Sequence, residues 1–173
     1  MASTDPKSIL TRPLLAPTTP SAGAGPTPSS AYHAPSPLSS TSVAILGAGR
    51  VLVGAATLVA PIAVANTFFI DLPPSATLIG RMLGVREMVI GGLTFVTGRR
   101  CAASARNGTP EAARAGAGFL RTVLWANIIN DTDDIAICLI SALAGALDWN
   151  TALLFGAGAA AFVGLGELGL MGL

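Results

Sequence analysis

From about Val43 to Leu173 the chain reads as four long apolar stretches divided by short polar breaks. The first runs from Val43 to Phe69, with Pro61 near its end. The second runs from Ser75 to Thr97 behind Pro73-Pro74. The third begins near Glu111, behind Thr109-Pro110, and continues to about Leu147. The fourth runs from Asn150 to Leu173. A helix needs roughly 20 residues to cross about 30 Å of hydrocarbon, and every stretch is that long. The third is longer than a span requires, so its first two turns, with Arg114, are expected to project into the headgroups. The pattern predicts an all-α fold, a four-transmembrane-helix bundle over residues 43–173, with spans near 43–69, 75–97, 119–146 and 150–173.

Composition sharpens this picture. Only 11% of the residues are charged and 51% are apolar, against about 25% charged in an ordinary soluble domain. The mean hydropathy is +0.65. Residues 1–42 differ: they are rich in Pro, Ser, Thr, Ala and Gly. Such a segment buries too little apolar surface to offset the entropy of ordering it. It is predicted to be a disordered cytosolic tail, without the compact apolar core and cleavage site of a secretory signal.

Net charge is +1, so no nucleic-acid partner is expected. Cys101 and Cys138 form no CxxC motif or disulfide framework. The sole histidine, His33, lies in the tail. The predicted bundle therefore has no histidine for catalysis or metal binding, and neither a metal nor a cofactor is expected.

The breaks between stretches suggest an orientation. The connection from Gly98 to Gly118 carries Arg99, Arg100, Arg106 and Arg114, while those around Asp71 and Asp148 carry no Lys or Arg. Cytosolic loops are enriched in these residues. The expected topology has both termini in the cytosol, with the endoplasmic reticulum as the expected membrane. Small residues suggest how the helices meet. Gly80 and Gly84 form a GxxxG pair, Gly84 and Gly91 lie two turns apart, and Gly156, Ala160 and Gly164 repeat every four residues. Such faces allow close backbone approach in lipid. They equally suit a partner helix or a second copy.

Charges inside the spans carry the functional question: Arg50, Arg81, Arg86, Glu87, Arg121, Asp131, Asp133, Asp134 and Glu167. Each costs roughly 2.5–3.5 kcal/mol at mid-bilayer on the insertion scale, so they must face one another or water. At about 100° per residue, Asn127, Asn130, Asp131, Asp134, Cys138 and Ser141 share one stripe of the third helix, extended in apolar form by Leu120, Val123 and Leu124. Asp133 lies at its edge. Depth along the helices predicts layers: a structural ion pair of Arg50 with Glu167, then Arg86 and Glu87 with Asp131, then Arg81 with Asp134. Arg121 falls near the headgroups. Carboxylates outnumber arginines, and arginine keeps its proton. A protonated carboxyl beside an ionised one is what acid–base catalysis uses.

The segment "RMLGVREMVIGG", residues 81–92, followed by the Asn/Asp cluster of the third helix, resembles a family of small four-helix integral membrane proteins of uncharacterised domain type. The shared pattern is an Arg, then Gly-x-Arg-Glu, then an Asp in the third helix. Here these are Arg81, Gly84, Arg86, Glu87 and Asp131 or Asp134. The resemblance covers about residues 43–173. Some fungal members are assigned as epoxide hydrolases or epoxide-opening cyclases of polyketide pathways.

The expectation is a cofactor-free, membrane-embedded hydrolase or cyclase opening a lipophilic polyene epoxide. Asp131, Asp134 and Glu87 are its candidate acid and base groups. Arg81, Arg86, Asn127 and Asn130 would position substrate or carboxylates. The alternative is a non-catalytic accessory protein or small transporter, whose charges clamp helices or carry protons.

Overall fold

A computed structural model describes residues 35–173. The described chain is all-helical: α1 (Pro37–Val59), α2 (Pro61–Thr67), a 3₁₀ turn at Pro74–Ala76, α3 (Thr77–Asn107), α4 (Pro110–Leu143) and α5 (Trp149–Met171). Most of the expected tail, residues 1–34, lies outside the described residues. Its last part is helical, contrary to expectation. Ser36 caps α1, accepting a hydrogen bond from the Ser39 amide at 3.1 Å, and Pro37 occupies the first turn. Proline suits that position because the first amides of a helix have no intrahelical acceptor. α1 therefore starts at Pro37 rather than Val43.

The same chemistry sets the other ends. Pro61 lacks an N–H and cannot continue a helix, so α1 closes at Ala60 and α2 begins. Thr109 caps α4 through the Ala112 amide at 3.3 Å, with Pro110 following. Gly145, at φ 71°, takes the left-handed conformation just past α4. Asp148 caps α5, accepting from the amides of Asn150 at 2.9 Å and Thr151 at 3.0 Å. The expected arginine-rich loop is mostly helix: Arg99, Arg100 and Arg106 ride on α3 and Arg114 on α4, with only Gly108 and Thr109 between the two.

Each long helix packs on two others. α1 and α4 lie diagonally, each against α3 and α5. The α1–α3 seam is the most extensive and is made through glycine. A Cβ on Gly91 would lie 2.7 Å from the Gly47 carbonyl oxygen, and one on Gly84 would lie 2.7 Å from that of Gly54. The two pairs share a seven-residue spacing, so the backbones touch along two turns of antiparallel helix.

Burial is inverted relative to a water-soluble domain. Ser39, Ser42, Arg50, Thr94, Thr97, Asn127, Asp131 and Thr151 are buried, whereas Leu52, Met82, Val89, Ile129, Ile140, Leu153 and many other large apolar residues are exposed. Two helices, α1 and α5, are long and apolar enough to cross a membrane by length and composition. α3 and α4 are longer but carry charges within them. The main apolar cluster lies at the end of the bundle near Arg99 and Arg100. There Val43, Leu46, Cys101, Leu120 and Leu124 pack with Phe162, Leu165 and Leu170.

Candidate functional site

The apolar core ends at a layer of charge. Arg50 sits near the middle of α1 and is only 1% exposed. Gly91 makes this position possible, since a Cβ there would lie 2.7 Å from the Arg50 Cβ. The Arg50 guanidinium donates from Nη1 to Glu87 Oε2 on α3 and from Nη2 to Asp131 Oδ1 on α4. Its flat face lies 4.9 Å from the centre of the Phe162 ring on α5, a favourable cation–π placement. Arg86, one residue before Glu87, donates to Asp134 Oδ2 at 2.8 Å and lies 3.4 Å from Glu87 Oε1. The result is an alternating chain: Asp131, Arg50, Glu87, Arg86, Asp134. It ties α1, α3 and α4 together, with three carboxylates against two arginines.

One turn below Asp131 on the same face, Asn127 is equally buried. Its Nδ2 donates to Thr94 Oγ1 at 3.0 Å and to the Val123 carbonyl at 2.8 Å. Thr94 in turn donates to the Ile90 carbonyl at 2.8 Å. Several buried polar atoms here have no hydrogen-bond partner among the described residues: Arg50 Nε, Arg86 Nε, Asn127 Oδ1, Asn130 Nδ2 and Asp131 Oδ2. A cluster of unsatisfied polar atoms beside an ion-pair chain is unusual in a purely structural core.

The layer brings together Glu87, Arg86, Asn127, Asp131 and Asp134, and adds Arg50. Three expected pairings are replaced: Arg50 with Glu167, Arg86 with Asp131 and Arg81 with Asp134. Arg50 does not reach Glu167, which is exposed on α5; it bonds Glu87 and Asp131 instead. The physical reason is the true start of α1, which moves Arg50 from near one end of the helix to its middle. Arg81 is exposed, and Asp134 pairs with Arg86. Asn130 is half-buried, whereas Arg121 and Asp133 are exposed. Thr94 was not singled out from the sequence. Its signal is a polar residue one glycine-spaced turn beyond Gly91 on the buried face of α3.

Beyond the layer, α4 and α5 part to leave a groove of about 370 Å³, lined by Ile135, Cys138, Leu139, Trp149, Gly156 and Ala160 among others. Ile135 and Cys138 stand one helical turn past Asp131 and Asp134 respectively. Asp131 is buried, but the Asp134 and Arg86 side chains are 40% and 36% exposed, so the chain of charge runs from the interior to the surface. Such an arrangement can hold carboxylates in different protonation states and pass a proton between them. No protein-family model, curated protein or solved structure matches the chain.

Proposed function

We propose that the protein is a four-span membrane protein with both termini cytosolic, whose ionic layer performs acid–base chemistry on a lipophilic substrate. The reaction class that suits it is the opening of an epoxide, as a hydrolase or cyclase of secondary metabolism in the endoplasmic reticulum. The spans are supported by the exposed apolar belt. On α3 it runs from Leu78 to Val96, interrupted by the exposed Arg81 and the partly exposed Arg86, and then gives way to Arg99 and Arg100. At about 1.5 Å per residue that belt is about 28 Å long, close to the hydrocarbon thickness of about 30 Å. The family resemblance carried by Arg81, Gly84, Arg86, Glu87 and the α4 aspartates points the same way.

The observation that carries the chemical reading is Asp131. One carboxyl oxygen is held by Arg50 and the other, also buried, has no hydrogen-bond partner among the described residues. Epoxide opening needs one carboxylic acid to give its proton to the ring oxygen as that C–O bond breaks. It also needs a carboxylate to take the proton of the attacking water or hydroxyl as the new C–O bond forms. Asp134, held by Arg86 and partly exposed, suits the second role. Asp131, with its second oxygen free of an arginine, suits the first. The apolar groove beside Cys138 gives a hydrocarbon chain a place next to this layer.

Membranes carrying the protein, incubated with a polyene epoxide in oxygen-18 water, are expected to yield diol labelled with oxygen-18, or cyclised product without label. Asp131→Asn and Asp134→Asn are expected to lose most of this activity. No turnover by the wild type, or full turnover by both variants, would overturn the reading. The non-catalytic reading has one observation in its favour: Arg50 joins three helices, as a clamp would.

A further inference from the structure

Of the five unpartnered atoms, Arg50 Nε, Arg86 Nε and Asn130 Nδ2 are donors, and the Asn130 side chain lies against the Asp131 carboxyl. The other two, Asp131 Oδ2 and Asn127 Oδ1, are hydrogen-bond acceptors when Asp131 is ionised. They belong to residues four apart on one helix face, the spacing at which side chains meet. The orientation of the Asn127 amide is fixed by its neighbours. Its nitrogen faces the Val123 carbonyl, which can only accept, so the unpartnered atom is the oxygen. Two buried acceptors cannot satisfy each other. One proton between them satisfies both.

Charge counting leads to the same place. Arg50 faces Asp131 from α1, Glu87 and Arg86 face the layer from α3, and Asp134 stands on α4 itself. α5 contributes the Phe162 ring, and its one acidic side chain, Glu167, is exposed. With every group ionised, three carboxylates meet two guanidinium groups, leaving one negative charge inside a low-dielectric bundle, which is costly. One proton neutralises the layer. Each Glu87 oxygen lies against an arginine, and Asp134 is partly exposed and bonded to Arg86. Asp131 is the most buried of the three, and it has the free oxygen.

We infer that Asp131 is a carboxylic acid in the resting protein, donating from Oδ2 to Asn127 Oδ1 while its other oxygen accepts from Arg50. Asn127 is a positioning residue: Thr94 and the Val123 carbonyl hold its amide so that its oxygen receives this proton. Use of the proton in catalysis rests on the function proposed above. Its location does not.

The test is infrared difference spectroscopy on the full chain in lipid nanodiscs at neutral pH. The expected result is a carbonyl stretch of a protonated carboxylic acid that moves to lower frequency in heavy water. It moves again when the protein is grown with carbon-13 aspartate, and stays put with carbon-13 glutamate. This arm needs no substitution, so it does not depend on a variant folding. Asp131→Asn is expected to remove the band, and Asn127→Leu to raise its frequency by removing the acceptor. Absence of the band, a response to labelled glutamate, or survival of the band in folded Asp131→Asn would overturn the inference. A band with no epoxide turnover would sink the proposed reaction and leave the proton in place. Turnover with no band would do the reverse.

Discussion

Helices α3 and α5 both carry glycines at helical spacing, yet only α3 presses any of them, Gly84 and Gly91, against a neighbour's backbone. A Cβ on Gly84 would lie 2.6 Å from the Leu58 nitrogen of α1, and one on Gly91 would lie 2.8 Å from the Val51 nitrogen. On α5, Gly166 and Gly169 receive Ile128 and Leu124 from α4, but Gly156, Gly158 and Gly164 face open space. The expectation that the Gly156, Ala160 and Gly164 repeat forms a packed face is therefore not met among the described residues. A glycine only makes room, and the opposing helix decides what fills it. α1 offers Gly47 and Gly54 in matching register, so backbone meets backbone. That approach is also what sets the stem of Arg50 beside Gly91 and its head group between Glu87 and Asp131.

Substitutions can break or sharpen this contrast. The largest effect is expected from Arg50→Leu, which leaves Glu87 and Asp131 buried without their cation. Loss of one partner of a buried ion pair costs about 3–5 kcal/mol. Unfolding in detergent would read it, and a stability equal to wild type would contradict a tightly coupled layer. Gly91→Leu is next. It forces α1 and α3 apart, with an overpacking cost of about 1–3 kcal/mol. The matching Gly156→Leu on α5 is expected to stay within about 0.5 kcal/mol of wild type, as open surface positions do. Equal losses at both positions would erase the distinction between the two helices.

The smallest effect concerns the cap that starts α5. Hydrogen bonds from the Thr151 side chain and backbone hold the Asp148 carboxyl below its ordinary range. A carboxyl depressed in the folded state contributes stability above its unfolded value, about 3.9. That contribution is lost as pH falls through the lower folded value. Melting curves of wild type and Asp148→Ala are expected to differ at about pH 5 and to converge as the pH is lowered below about 4. A constant difference across that range would show that the cap does not act through its charge.

Much of this arrangement was legible in the residues. The helix breaks at Thr109-Pro110 and Asp148 follow from capping and proline chemistry, whereas the expected first span runs on through Pro61 to Phe69, where the structure ends one helix at Val59 and starts another at Pro61. The stripe of Asn127, Asp131 and Asp134 follows from the helical period, and burial of Leu120, Val123 and Leu124 follows with it. The pairing of Arg50 was not legible. It depends on depth, and depth was measured from a helix start that the proline-rich composition hid. Read as a cap, Ser36-Pro37 would have moved Arg50 to mid-helix and toward Glu87. The matching of Gly47 with Gly91 also escaped the sequence reading, because it needs the register between two helices rather than the period of either.

The central claim is that the charge layer is an acid–base centre and not only a clamp. The most direct measurement is turnover of a lipophilic epoxide by purified wild type and Asp131→Asn, each also assayed for thermal stability. The account predicts that the wild type is active and that Asp131→Asn loses about 100-fold or more, the scale of a lost acid–base group, while remaining folded. An inactive wild type, or a folded Asp131→Asn that turns over at the wild-type rate, would contradict it.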